Sequence, residues 1–182
     1  MVCRRPPVRH RLVGVSVPVL MRTVRSRDEL VATFGAIARQ FSPPLEVENR
    51  LAQLMETFDR DRPLMLCIET GGTLRGGVVA VGVDTVGVRG IGVDEELRGM
   101  GAGRRLLEAV EAVAMARGAR LIALGSVKAA RGFYERLGYR GKRTGKQKEL
   151  PLPGRVRDLR AAQLLEAIGD LDVGVTIGQL PG

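Results

Sequence analysis

Between Val86 and Gly118 the chain changes its hydrophobic period once, and glycine marks the change. Val86-Gly87-Val88-Arg89-Gly90-Ile91-Gly92-Val93 is rich in β-branched residues and reads as a strand. Leu106, Leu107, Val110, Val113 and Ala114 then recur at the spacing of one helix face, ended by Gly118 at a position that suits a helix C′. The connection is Arg98-Gly99-Met100-Gly101-Ala102-Gly103-Arg104-Arg105. Its glycines let backbone N–H groups converge on an anion, and the helix start adds the positive end of its dipole, so phosphate binding is the direct physical expectation. The run is neither a P-loop, for it lacks GxxxxGK[ST], nor the dinucleotide fingerprint, because its third glycine falls two rather than three positions after the second. Glycine inside the preceding strand, at 87, 90 and 92, marks a bulge or the close approach of another backbone or a ligand.

Other elements read from the same signals. Ser26-Arg27-Asp28-Glu29 fits a capping box before Leu30, Phe34, Ile37 and Ala38, giving a helix from about 27 to 40. Beyond Pro43 and Pro44, Leu45, Leu51, Leu54, Met55 and Phe58 outline a second amphipathic helix. Leu64 to Thr70, Gly71-Gly72 and Leu74 to Val83 form a hairpin pattern. Arg120 to Leu124 reads as a strand, Ser126 as the cap of a short helix from Lys128 to Leu137, and Tyr139 onward as a last strand or strand pair. A weak helix is expected from Val156 to Ile168. Strands mixed with helices in a chain of 182 residues indicate one α/β (α+β) domain.

Charge is distributed unevenly. Residues 1–25 carry +6, 26–97 carry −5, 98–160 carry +11 and 161–182 carry −3, for a net +9. The basic stretch suits a polyanion, but with four Phe, two Tyr and no Trp the chain lacks the aromatics of a stacking nucleic-acid binder, and a small phosphorylated ligand fits at least as well. The acidic stretch could attract a cationic second substrate. Cys3, Cys67 and His10 supply neither a disulfide framework nor a metal cluster, which points to a reducing cytoplasm and no metal. No apolar run reaches the ~18 residues of a membrane span. The first twenty residues lack a cleavage site after their apolar part, which argues against a signal peptide; in a second reading Met21 opens the first strand, and what precedes it is a tail, the preferred reading, or an upstream start codon.

Val93-x-x-x-x-Arg98-Gly99-x-Gly101-x-Gly103, followed by Ala129-Ala130-Arg131-Gly132-Phe133-Tyr134-Glu135-Arg136-Leu137-Gly138-Tyr139, resembles the GNAT superfamily of N-acetyltransferases. The first segment is similar to that family's R/Q-x-x-G-x-G/A motif and the second to its FYxxxGF element, with coverage from about Met21 to Leu150. The resemblance implies a mixed, mostly antiparallel sheet of six to seven strands flanked by about four helices. Its fourth and fifth strands would run parallel and splay apart, and Gly90 and Gly92 would suit a bulge at the open edge. Acetyl-CoA would be the acyl donor, its pantetheine meeting the backbone of Ile91, Gly92 and Val93. Its pyrophosphate would lie on Arg98, Gly99, Met100, Gly101, Ala102, Gly103 and Arg104, with Arg98, Arg104 or Arg131 approaching phosphate. Tyr134 would be the general acid and Tyr139 core. The implied domain is 17–150, with a basic tail 1–16 and an appendage 151–182, and a homodimer follows by the same resemblance.

Two departures bear on mechanism. The fourth strand lacks the Glu that the family often places there, leaving Glu69, Asp84 or Asp94 to act through water. Gly125-Ser126-Val127 stands where the family frequently has Asn. Cys67 has no histidine nearby in sequence to activate it, which argues against a covalent acyl-enzyme. The expected activity is direct acetyl transfer to a primary amine of a small molecule or peptide, with a cationic acceptor preferred. The rivals are a non-catalytic acyl-CoA-binding module and, less favoured, a basic nucleic-acid-associated protein.

Overall fold

The structure is a computed structural model and describes residues 16–41, 64–141, 145–150 and 174–180, together with Ala52 and Glu56. Its strands are β1 (Val17–Thr23), β2 (Leu64–Thr70), β3 (Thr73–Val81), β4 (Thr85–Val93), β5 (Leu121–Gly125), β6 (Gly145–Glu149) and β7 (Val175–Leu180). They form one sheet in the order β6-β5-β4-β3-β2-β1-β7. Only β4 and β5 run parallel; every other pair is antiparallel. Gly71 and Gly72, at φ 55° and 78°, close the β2–β3 hairpin as the sequence predicts. Both positive φ values are what a two-residue hairpin turn demands.

The described helices are α1 (Arg27–Ala38), α2 (Ala102–Ala116) and α3 (Arg131–Arg136), with 3-10 turns at Glu95–Leu97 and Lys128–Ala130. On one face of the sheet α1 buries Leu30, Phe34 and Ile37 against Met65 and Val79. On the other α2 buries Leu106, Leu107 and Val110 against a larger cluster that includes Leu66, Ile68, Val78 and Ile122. The expected amphipathic helix from Leu45 to Phe58 lies outside the described residues except for Ala52 and Glu56, both helical. The expected helix from Val156 to Ile168 and the tail up to residue 15 also lie outside them.

Ser26 starts α1 by accepting the Glu29 N–H at 3.2 Å. The Glu29 carboxylate reaches back past the cap residue, accepting the Arg25 N–H at 2.8 Å and gripping Arg22 at 2.9 and 2.8 Å. Arg22, on β1, also donates to Glu69 on β2 at 3.0 and 2.7 Å, so one buried guanidinium ties α1 to two strands.

Three expectations are corrected. Val175–Leu180, within the stretch read as an appendage, is β7 of the main sheet, paired with β1 from Val17↔Leu180 to Met21↔Val175. Its Val175, Ile177 and Leu180 pack on the α2-side core, a placement fixed by a partner far away in sequence. Met21 does not open the first strand but sits within it, after the buried Val19. Ser126 does not cap the short helix: it is buried, its hydroxyl donates to the Val127 carbonyl at 3.1 Å, and Val127 precedes the 3-10 turn that leads into α3.

Candidate functional site

Pairing between β4 and β5 runs from Thr85↔Leu121 to Val88↔Leu124 and stops. On its other side β4 continues along β3 to Val93, with Val79 opposite Gly90 and Ala80 opposite Val88, so Arg89 is the extra residue of a β-bulge. A bulge bends its strand, and here it falls where β4 leaves β5. Arg89 to Val93 therefore presents a backbone edge with no β5 partner, open to an extended molecule that hydrogen-bonds as a strand would. Ile91, Gly92 and Val93 all lie on this edge.

The close approach to Gly90 and Gly92 is made by α1. A β-carbon at Gly90 would stand 3.4 Å from Ile37 Cγ2, and one at Gly92 would stand 3.1 Å from the Ile37 carbonyl and 3.2 Å from Gln40 Cγ. These glycines let the end of α1 rest on the open part of β4.

The chain then enters the glycine turn. Leu97 and Ala102 are buried on either side of it, anchoring it to the core. Gly99 and Gly101 have φ 81° and 83°, the left-handed region in which a side chain is disfavoured. Gly101 is the N-cap of α2 and offers no side-chain cap, and no acid stands in the first turn. Helical bonding starts with Arg105 N–H to the Gly101 carbonyl at 3.0 Å, so the N–H groups ahead of it lie at the positive end of the dipole without an intrahelical acceptor. Met100 is exposed, and its terminal methyl lies 3.4 Å from where a β-carbon of Gly178 would be, which brings β7 against the turn.

The three candidate arginines differ. Arg98 donates to Gln40 Oε1 at 3.1 Å, and Gln40 in turn donates to Asp94 at 2.8 Å. Arg104 is spent along its own helix on Glu108 at 2.7 Å. Arg131, at the start of α3, has a buried Nε with no acceptor among the described residues. Gln40 carries no sequence signal of its role: it lies beyond the helix, and only the fold brings it to Asp94 and Arg98.

Tyr134 is buried on α3, with edge-on contacts to Phe133 at 5.1 Å and Tyr139 at 6.1 Å, and burial raises its phenol above the ordinary value. Tyr139 is fully buried, as expected of core, and donates to Glu111 at 2.9 Å. Of the three acids considered as bases, Glu69 is paired with Arg22, and Asp94 is held by Gln40 and by Arg75 at 3.5 Å. Asp84 lies at the other end of β4, just before Thr85. Cys67 is fully buried, and its thiol is pushed up to about 11 by that burial, which removes the thiolate a nucleophile needs. Among the described residues no group of His, Cys, Asp and Glu could hold a metal, and no helix is long and apolar enough to cross a membrane.

Residues 30–139, more than half of the chain, match the acetyltransferase (GNAT) family. No curated protein matches the sequence significantly. Among solved structures, the Escherichia coli ribosomal-protein-S18-alanine N-acetyltransferase is 19% identical with a TM-score of 0.57, over 78% of this chain and 98% of that one. A Brucella melitensis GNAT family acetyltransferase in complex with acetyl-CoA is 18% identical with a TM-score of 0.56, over 74% and 92%. An Escherichia coli GNAT family N-acetyltransferase in complex with CoA is 19% identical with a TM-score of 0.57, over 74% and 83%. Identities this low speak for the fold alone. With the family match spanning both the glycine turn and the Phe133-Tyr134 segment, the chain belongs to the acetyltransferase (GNAT) family.

Proposed function

We propose that the protein transfers the acetyl group of acetyl-CoA to a primary amine by direct attack in a ternary complex. The observation that carries this reading is the free β4 edge running into the uncapped, acid-free start of α2. Pantetheine hydrogen-bonds to the backbone of Ile91, Gly92 and Val93, and the pyrophosphate lies on the turn from Arg98 to Arg104. The unpartnered Nε of Arg131 and the exposed Arg98 fit a phosphate-rich ligand, since charge-assisted bonds from arginine are the stronger ones. The acetyl-CoA complex of the structurally similar Brucella melitensis acetyltransferase supports the choice of ligand.

The thioester supplies an activated acyl carbon. The neutral amine attacks it, a C–N bond forms, and the C–S bond breaks as Tyr134 donates its proton to the departing thiolate. A buried phenol with a raised pKa stays protonated at neutral pH, as an acid for this step must. The proton lost by the amine leaves through water, and Tyr134 takes one back from water, which closes the cycle with no net change in protons. A cationic acceptor is drawn by fewer acids of the acidic stretch than its charge count suggests, because Glu29 and Glu69 both pair with Arg22.

A second reading, a non-catalytic acyl-CoA-binding module, is favoured by the engagement of Glu69 and Asp94 in other bonds. One assay separates the two: acetyl-CoA-dependent thiol release against polyamines, aminoglycosides, amino acids and peptide amino termini, with Tyr134→Phe alongside. Amine-dependent release that falls in the variant supports transfer. Coenzyme binding without release on any acceptor moves the reading to the binding module.

A further inference from the structure

Gln40 stands between α1 and the glycine turn. Its backbone N–H reaches the Ile37 carbonyl at 3.0 Å. Its stem crosses β4 at Gly92, where a β-carbon would stand 3.2 Å from its Cγ and 3.3 Å from its Cβ. Its amide joins Asp94, at 2.8 Å, to Arg98, at 3.1 Å. The partners fix which end faces which: an ionised carboxylate only accepts, so it takes the NH2, and a guanidinium only donates, so it takes the amide oxygen. Asp94 is anchored in turn by β3, its N–H on the Arg75 carbonyl at 2.7 Å and its carboxylate 3.5 Å from the Arg75 guanidinium.

We propose that Gln40 is a positioning residue for the coenzyme: it holds the Arg98 guanidinium at the turn, ready for phosphate, without neutralising it. This rests on the acetyl-CoA reading above. A carboxylate in its place would bind Arg98 more strongly and use up its charge, as Glu108 does for Arg104. The neutral amide takes one N–H and leaves the charge and the remaining donors of Arg98 for the ligand. Gly92 then has a second task besides its backbone role, for only a residue without a side chain lets Gln40 lie across β4.

Calorimetric affinity for CoA in wild type, Gln40→Met, Arg98→Met and the double variant tests this, with kcat measured at saturating acetyl-CoA and thermal melts to check folding. Freezing a long side chain in advance is worth about 3- to 10-fold in affinity. Gln40→Met is expected to weaken CoA binding by that factor and leave saturated kcat within about two-fold. In the double variant the loss should equal that of Arg98→Met alone. A Gln40→Met loss that persists undiminished without Arg98, or no loss at all, overturns the proposal. Should Gln40→Met fail to fold, the isosteric Gln40→Glu decides: it is expected to weaken CoA binding at least as much, and wild-type affinity would overturn the argument from neutrality. If wild type binds CoA and Arg98→Met binds it equally well, the role of Arg98 falls and that of Gln40 with it. If wild type does not bind CoA, the coenzyme reading itself fails.

Discussion

The ring of Phe133 lies against Gly103, its Cζ 3.5 Å from where a β-carbon at Gly103 would stand. The contact joins the start of α2 to α3, the two segments that carry the family's motifs, and it sets Tyr134 relative to the turn. At that distance a methyl group makes ordinary contact, whereas a larger side chain must push the ring away. Gly103→Ala should melt at or slightly above the wild-type temperature, since alanine is the better helix former. Gly103→Leu should lose about 1–3 kcal/mol by overpacking and lower turnover as α3 shifts. A leucine variant that melts and turns over like wild type would show that the two segments do not depend on this contact.

Tyr134→Phe keeps the ring contacts with Phe133 and Tyr139 and removes only the hydroxyl. General acid catalysis contributes about 10²- to 10⁴-fold, so kcat should drop within that range while CoA affinity changes little. Because burial raises the phenol, its ionisation should cause no loss of wild-type rate between about pH 6 and 9. Turnover in the variant equal to wild type across that range would remove Tyr134 from the mechanism.

What the sequence made legible was local. Ser26, Glu29 and the Leu30-Phe34-Ile37 spacing placed α1, and glycine placed the β2–β3 hairpin and the turn before α2. What it left hidden was set by tertiary contact. Gly90 and Gly92 could be read as space for some neighbour, but nothing near them in sequence says that the neighbour is α1. Ser126 had the chemistry of a cap, and burial turned its hydroxyl to the adjacent carbonyl instead. β7 is a short uncharged strand between weak signals, and β1, more than 150 residues earlier, makes it a strand. The bridge from Asp94 through Gln40 to Arg98 spans 58 residues and follows no spacing rule.

Gly99 and Gly101 sit at positive φ with nothing within 4 Å of a would-be β-carbon. The cost of alanine there is thus conformational rather than steric, about 1–2 kcal/mol at each position. The turn can escape that cost by rotating its peptide planes, which takes their N–H groups off the anion. Gly101→Ala should therefore weaken CoA affinity by more than its small drop in melting temperature suggests. Calorimetry beside thermal melts checks this, and a variant that loses stability but binds CoA normally would show that the backbone of the turn does not hold the phosphates.

Arg22 is the buried centre of an ion-pair cluster, with its side chain 8% exposed against 28% for Glu29 and 18% for Glu69. Removing one partner of a buried pair leaves the other charge uncompensated, at a cost of about 3–5 kcal/mol when both are dry; with partly exposed carboxylates Arg22→Met should fall near the lower end. The cluster also sets a pH dependence. Arg22 first, and then the Arg25 N–H, holds the Glu29 carboxyl below its ordinary value. Folded protein thus keeps Glu29 ionised to lower pH than the unfolded chain does. Its contribution is complete above the unfolded carboxylate value of about 4.3 and is lost as pH falls through the lowered folded value. Wild type should lose melting temperature below about pH 4.3 more steeply than Glu29→Gln, which starts lower and has no such proton to take up. Parallel melting curves for the two proteins between about pH 3 and 7 would mean that Glu29 titrates alike in both states and that the bond to Arg22 adds no acid sensitivity.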